Sequence, residues 1–294
     1  MASGKGVIIH INIKKMKRLT ISITLSVIAF SMIAQQNLAV KYSVSNRDSD
    51  KEDIVKSEMI LITNPSSSLY YNKMSLYVDS CMSTPEGAAQ LKEIQDKGMR
   101  VEHPDGTVTM DGWKYRSIPM KTIYMYVDKD LSKNRITTYD RKAGELKYYE
   151  EPTSEINWVI IEDSTKNIQG FECIMAKTDY HGRNWTVWFT PEIPIQDGPW
   201  KLHGLPGIIL EADGGNDFYI IASEIGETAQ DIPNVYSTNL YQKGDRKKIL
   251  KDHEHYINNL LSIISAQGIK LNDDGSTNNF PRFNRLNRAW ETDY

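Results

Sequence analysis

The side chains best suited to chemistry gather between residues 181 and 203, where His181, Arg183, Trp185, Trp188, Trp200 and His203 share one short stretch. Aromatic faces around a guanidinium can grip a peptide, a sugar or an anionic group by stacking and by forked hydrogen bonds. Alternation along a strand puts Trp185 and Phe189 on one face and Trp188 on the other, so at least one tryptophan belongs to a core. Arg183, Trp200 and His203 remain as the ligand-binding set. His253 and His255 stand beside Asp252 and Glu254, but helical residues two apart point about 200° apart and cannot readily share one ion. They read as surface charge. Glu192 and Glu211 have no partner legible in the sequence. No Gly-x-Ser-x-Gly elbow and no His-Glu-x-x-His helix is present, so the chain offers no catalytic residue, no metal site and no cofactor motif. Cys81 and Cys173 are the only cysteines. In an oxidising compartment they permit one disulfide, with two separate thiols as the other reading.

The elements that must position these groups are mostly strands. Glu58–Thr63 and Leu69–Val78 read as strands, the second from the alternation of Leu76 and Val78 with Ser75, Tyr77 and Asp79. A helix is expected from Pro85 to about Lys97, capped by Thr84 and stopped at Gly98. It is the only convincing helix before residue 244. Val108–Met110 is expected to turn through Asp111-Gly112 into Trp113 and Tyr115, and Thr122–Val127 to form a strand. Arg135–Tyr139 and Leu146–Tyr149 flank a turn at Ala143-Gly144. Asn157–Ile161 and Gly170–Thr178 flank one around Ser164 to Asn167. Asn184–Phe189 follows, and Gly207–Ala212 pairs through Asp213-Gly214-Gly215-Asn216 with Phe218–Ala222. A helix over Asp245–Ala266 carries Ile249, Tyr256, Leu260, Ile263 and Ile264 near helical spacing. Together these give an α+β fold, mainly antiparallel β, built as a single curved sheet or half-open barrel with one or two helices packed on one side.

Between two of these strands runs Gly198-Pro-Trp-Lys-Leu-His-Gly204-Leu-Pro-Gly207-Ile-Ile. Glycine permits positive φ and proline fixes φ near −65°, so Gly198, Pro199, Gly204, Leu205, Pro206 and Gly207 hold one irregular, rigid path. That path is either a sheet-crossing connection placing Gly207–Leu210 in the core or a loop facing a ligand. With Trp158–Glu162, Ile168–Cys173, His181–Trp188 and Thr190–Pro194 ahead of it, the string resembles the GLPGLI family of Bacteroidetes envelope proteins. Ile208 stands where the family name has leucine, and the ending Trp290–Tyr294 departs from the family's usual one. The resemblance implies an envelope setting and no established activity.

The N-terminus agrees with export. Lys14, Lys15, Lys17 and Arg18 precede an apolar run from Leu19 to Ile33, and Ala34 offers a cleavage site, so residues 1–34 read as a signal peptide. Basic residues on both sides of Met16 suggest that translation starts there and that residues 1–15 are a mis-annotated start. Residues 35–56 read as a polar leader, 57–270 as the β-rich domain and 271–294 as a loose polar tail. No cysteine follows the apolar run to carry a lipid anchor, and the apolar run is too short to span a bilayer comfortably. The mature chain is therefore expected to be periplasmic or secreted, with no transmembrane segment. Residues 1–34 hold five basic and no acidic side chains, leaving 30 Lys plus Arg against 38 Asp plus Glu. Such a surface repels phosphate backbones, which argues against a nucleic-acid partner. The expected partner is an unknown ligand or envelope protein, bound without catalysis, with uptake through outer-membrane receptors as one role open to it. A structural protein without a pocket, or a hydrolase, is the alternative.

Overall fold

The computed structural model describes residues 37–46, 55–110, 118–154, 156–215, 218–266 and 290–294. In chain order the elements are β1 (Asn37–Asn46), β2 (Val55–Thr63), β3 (Ser67–Tyr71), α1 (Lys73–Met82), α2 (Pro85–Met99), β4 (Arg100–Glu102), β5 (Val108–Met110), β6 (Tyr126–Asp130), β7 (Arg135–Lys142), β8 (Glu145–Glu151), β9 (Val159–Ile168), β10 (Phe171–Tyr180), β11 (Arg183–Thr190), β12 (Ile208–Asp213), β13 (Tyr219–Thr228), β14 (Gln242–Lys243) and α3 (Arg246–Ala266). Twelve strands form one curved sheet, open at both edges, in the order β14-β8-β7-β6-β3-β2-β1-β13-β12-β11-β10-β9. The mainly antiparallel α+β fold expected from the sequence is the fold observed. The sheet does not close into a barrel.

β1 is the seam of this sheet. It pairs with β2 on one side and β13 on the other, so β9 to β13 join the remaining strands only through it. Its Leu38, Val40, Tyr42 and Val44 are buried while Ala39, Lys41 and Ser43 between them are not, the two-residue period of a strand that faces a core on one side. The segment expected as a polar leader thus already contains a central strand. The core face can be followed across the sheet through successive register partners Val40, Leu61, Tyr70, Val127, Thr138 and Tyr149, all buried. The opposite face has a smaller core of Ile60, Ile62, Leu69, Tyr71 and Tyr126, against which Leu76 of α1 packs.

Several sequence expectations change. Ser75–Val78 is helix, because Asn72 accepts a hydrogen bond from the Ser75 backbone N–H at 3.0 Å and starts α1, whose Ser75 and Val78 then bury one helical face. Gly98 lies inside α2, which runs on to Met99. β5 pairs with β4, while Asp111-Gly112, Trp113 and Tyr115 lie outside the described residues. The expected turn at Ser164–Asn167 moves to Gln169-Gly170, where φ is +52° and +90°, the left-handed pair that a tight hairpin needs; a bulge in β9 occupies the earlier position. Helices sit on both faces, since α1 packs on the smaller core and α3 lies over β7 and β8 on the main one. Cys81, on α1, and Cys173, in the main core, are both free thiols, and burial pushes the Cys173 thiol up to about 11. No helix among the described residues is long and apolar enough to cross a membrane.

Candidate functional site

The segment from Thr190 to Ile208 crosses the main core face as a rigid connection. The Ile208 N–H donates to Ile193 O at 3.1 Å, Ile209 N–H to Asp197 O at 2.9 Å and Gly204 N–H to Gln196 O at 3.1 Å, so the path folds back on itself instead of looping out. Gly207 to Leu210 are buried, as the sheet-crossing reading requires. Gly207 must be glycine: a Cβ there would lie 2.0 Å from the Thr190 carbonyl oxygen, far inside contact distance. Leu205 is in the core, and the Leu202 N–H closes a turn onto Pro199 O at 3.1 Å.

A buried ion pair pins this path from below. Lys129 and Asp197, both fully buried, are joined, and the Lys129 Nζ also donates to Gly198 O at 2.8 Å. Asp197 takes two more hydrogen bonds at 2.8 Å, from the Thr63 hydroxyl and the Gly198 N–H. Burial pushes the Asp197 carboxyl up, but Lys129 and the hydroxyls outweigh it and hold it below the usual carboxylate range.

Trp200 then enters the core with φ +52° and no solvent exposure. A left-handed backbone costs a bulky residue about 1–2 kcal/mol, so the surrounding structure must hold it there. Its ring centroid lies 5.6 Å from those of Trp185 and Trp290 and 5.9 Å from that of Tyr180. The indole N–H is buried with no hydrogen-bond partner among the described residues. Trp200 walls a cavity of about 330 Å³ beside α3, shared with Thr138, Tyr149, Arg183, Leu250, His253 and Trp290.

Arg183, at the start of β11, also lines this cavity; its Nε donates to Trp290 O at 3.1 Å and its guanidinium lies over the Phe218 ring at 4.7 Å. The third expected ligand residue goes elsewhere. His203 is buried, hydrogen-bonds through Nδ1 to Lys201 O at 2.7 Å, and is not among the cavity lining. Burial lowers its pKa, favouring the neutral ring. The two glutamates without visible partners have them: Glu211 pairs with Lys166 at 2.6 Å, and Glu192 accepts the Glu172 N–H at 2.9 Å. His253 is half-buried rather than surface charge, accepting the Ala143 N–H at 3.0 Å and so clipping the β7–β8 turn to α3.

Sequence reasoning missed the charged cluster at the cavity's edge. Lys201, fully buried, pairs with Glu151 and, at 2.7 Å, with Glu291; the Tyr149 hydroxyl donates to Glu291 at 2.6 Å. Arg246 pairs with Glu291 and Asp293, and its Nη2 donates to His181 Nδ1 at 2.7 Å. Because a guanidinium can only donate, His181 accepts at Nδ1 and carries its proton on Nε2, 3.5 Å from Glu151 Oε2. Glu151, His181 and Glu291 bring ligand atoms within 4.8 Å of one another, a spacing a cation could use. Two fixed positive side chains already occupy that role, so the arrangement suits a self-neutralised network better than an open metal centre. Nothing local announces it, since Glu291 is the second residue of the Trp290–Tyr294 ending.

Acid should loosen this region. Burial raises the Glu291 carboxyl, but Lys201 and Arg246 overcome that and hold it at about 2, against an ordinary 4.5. Burial lowers His253 to about 4 from 6.5, with Lys142 adding to the effect. Both values are depressed on folding, so both contributions are complete above the unfolded values and are lost as pH falls through the folded ones. Stability is expected to decline below about pH 6.5 and most steeply between about pH 4.5 and 2, where Glu291 alone is worth roughly 3 kcal/mol. Calorimetric melting temperatures across this range check it, and Glu291→Gln should flatten the lower part of the curve.

A family model described as a protein of unknown function (Porph_ging) matches residues 181–211, the stretch from the His181 turn through the crossing segment into β12. No curated protein matches the chain. Among solved structures, those described as PNGF-II in a C2 and in a P21 space group are similar to this chain at TM-score 0.45 each, with 14% and 13% identity over 75% of this chain. The chain spans 33% and 34% of the length of those two.

Proposed function

We propose that this is an exported envelope protein of the GLPGLI type that binds a small ligand, without catalysis, in the cavity between the main core face and α3. The reading is supported above all by Trp200, a strained and fully buried tryptophan on the cavity wall whose indole N–H has no partner among the described residues. Strain of this kind is kept where a site uses it, and a buried donor left unmade costs about 1–3 kcal/mol. A ligand that shifts the side chains covering the indole and presents a hydrogen-bond acceptor to it removes that cost. The volume falls in the range of small-molecule sites, and Trp290, Tyr149 and Arg183 offer stacking and charge. Export rests on the basic and apolar N-terminal run, and the family reading on the Gly204–Ile209 string.

Native mass spectrometry of protein purified from its own cell envelope tests the reading. A retained ligand appears as added mass, and Trp200→Phe, which keeps an aromatic side chain and removes the indole N–H, is expected to lower occupancy at least tenfold in protein that stays folded, with some loss of melting temperature from the smaller ring. Protein that carries no added mass, or a folded Trp200→Phe variant that keeps its ligand, would overturn it.

A further inference from the structure

The last five residues sit in the protein as a bound peptide sits in a receptor. Trp290 stacks on Phe218 with centroids 4.5 Å apart and packs beside Trp200. Glu291 is buried and met by Lys201, Arg246 and the Tyr149 hydroxyl. Thr292 donates its N–H to His181 O at 3.0 Å and its hydroxyl to Gly182 O at 2.9 Å, and Asp293 pairs with Arg246. The Trp290 carbonyl accepts from Arg183. Backbone and side chains are thus recognised from several separate parts of the fold: β8 through Tyr149, the β10–β11 turn and the start of β11, the crossing segment, α3 and Phe218. The turn is shaped for the visitor, since a Cβ on Gly182 would lie 2.4 Å from the Thr292 hydroxyl and 2.9 Å from the Asp293 N–H.

We infer that this groove is a peptide-acceptor site, filled in cis by residues 290–294, and that its partner is a protein presenting an aromatic–Glu–X–Asp segment. The recognition chemistry is specific. A fully buried ammonium and a guanidinium select the glutamate, an aromatic slot selects the residue before it, and hydrogen bonds to the backbone at Trp290 and Thr292 fix its position. Among the described residues, 290–294 join no strand ladder and are held at the backbone by the bonds from the Thr292 N–H to His181 O and from Arg183 to Trp290 O, so a partner gains access without unfolding the sheet.

The test uses the full chain and the synthetic peptide acetyl-Trp-Glu-Thr-Asp-Tyr-amide. The chain carrying Trp290→Ala with Glu291→Gln is expected to bind the peptide in calorimetric titration at least tenfold more tightly than the wild-type chain does. A peptide with glutamine in place of its glutamate should bind that variant at least tenfold more weakly. No detectable binding to the folded variant at 1 mM peptide, or equal binding of a scrambled peptide, overturns the inference; so does a wild-type chain that forms a concentration-dependent dimer lost in the variant, which assigns the groove to a second copy. Should the variant fail to fold, the wild-type chain decides: millimolar peptide should speed hydrogen exchange at the Thr292 amide at least fivefold, and unchanged exchange overturns the proposal. Loss of the cavity ligand leaves these outcomes untouched, because each reads the peptide alone.

Discussion

Asp197→Ala is expected to cost about 3–5 kcal/mol of stability, because it strands a fully buried ammonium. Lys129 would keep only the Gly198 carbonyl, and Thr63 and the Gly198 N–H would each lose a buried partner. The cost arises from the charge left behind and not from the worth of the pair, so replacing both residues distinguishes the two. Lys129→Met combined with Asp197→Leu should recover much of the loss, since apolar replacements of buried pairs are often neutral, but not all of it, because Thr63 and Gly198 stay unpaired. Urea unfolding at neutral pH measures both variants. A loss below about 1 kcal/mol for the single change would show that water reaches the pair and that the crossing segment is held by its own backbone bonds.

Trp200→Ala is expected to cost about 3–5 kcal/mol, the range for truncating a buried tryptophan. Were Trp200 only a ligand contact, as its place in the expected ligand-binding set implies, Trp200→Ala with Arg183→Ala would spare the fold and weaken only binding. Burial against Trp185, Tyr180 and Trp290 reverses that for Trp200. The backbone supplies an internal control. Glycine is ordinarily worse than alanine in a folded chain, but at φ +52° Trp200→Gly should be about 1 kcal/mol more stable than Trp200→Ala, since alanine retains the left-handed penalty. The reverse order, read from denaturation midpoints, would mean that the truncated segment relaxes to an ordinary backbone and that the strain belongs to the tryptophan's packing.

Local periodicity made the hairpins legible. β7–β8, β10–β11 and β12–β13 each combine alternating side chains with a turn whose residues accept positive φ, and they lie where the sequence puts them. Thr84 and Pro85 likewise announced α2. The failures have two causes. Lys73–Met82 carries an alternation that fits a strand equally well, and only the cap at Asn72 settles it as helix. The other misses are nonlocal. Lys129, Asp197, Lys201 and Glu291 are residue types normally left in water, and nothing near any of them says that the fold brings them together from 68 and 90 positions apart. The same holds for the ending Trp290–Tyr294, polar enough to read as loose yet anchored by Glu291. Of the expected ligand residues, Arg183 and Trp200 do meet at the cavity, whereas His203, inside the same glycine–proline path, turns back onto the Lys201 carbonyl, a contact that spacing does not reveal.

The seam strand has a consequence for how the molecule is made. β1 leaves the ribosome among the first parts of the domain, yet its partner β13, reached at Ala222 for Tyr42, follows about 180 residues later. Until then each half-sheet exposes a long unpaired edge, a ready template for stray association. A sheet closed by so distant a pairing folds on the order of milliseconds to seconds rather than microseconds. Nascent chains of this protein therefore stay incomplete for most of synthesis, unable to lock before about three quarters of the message has been read.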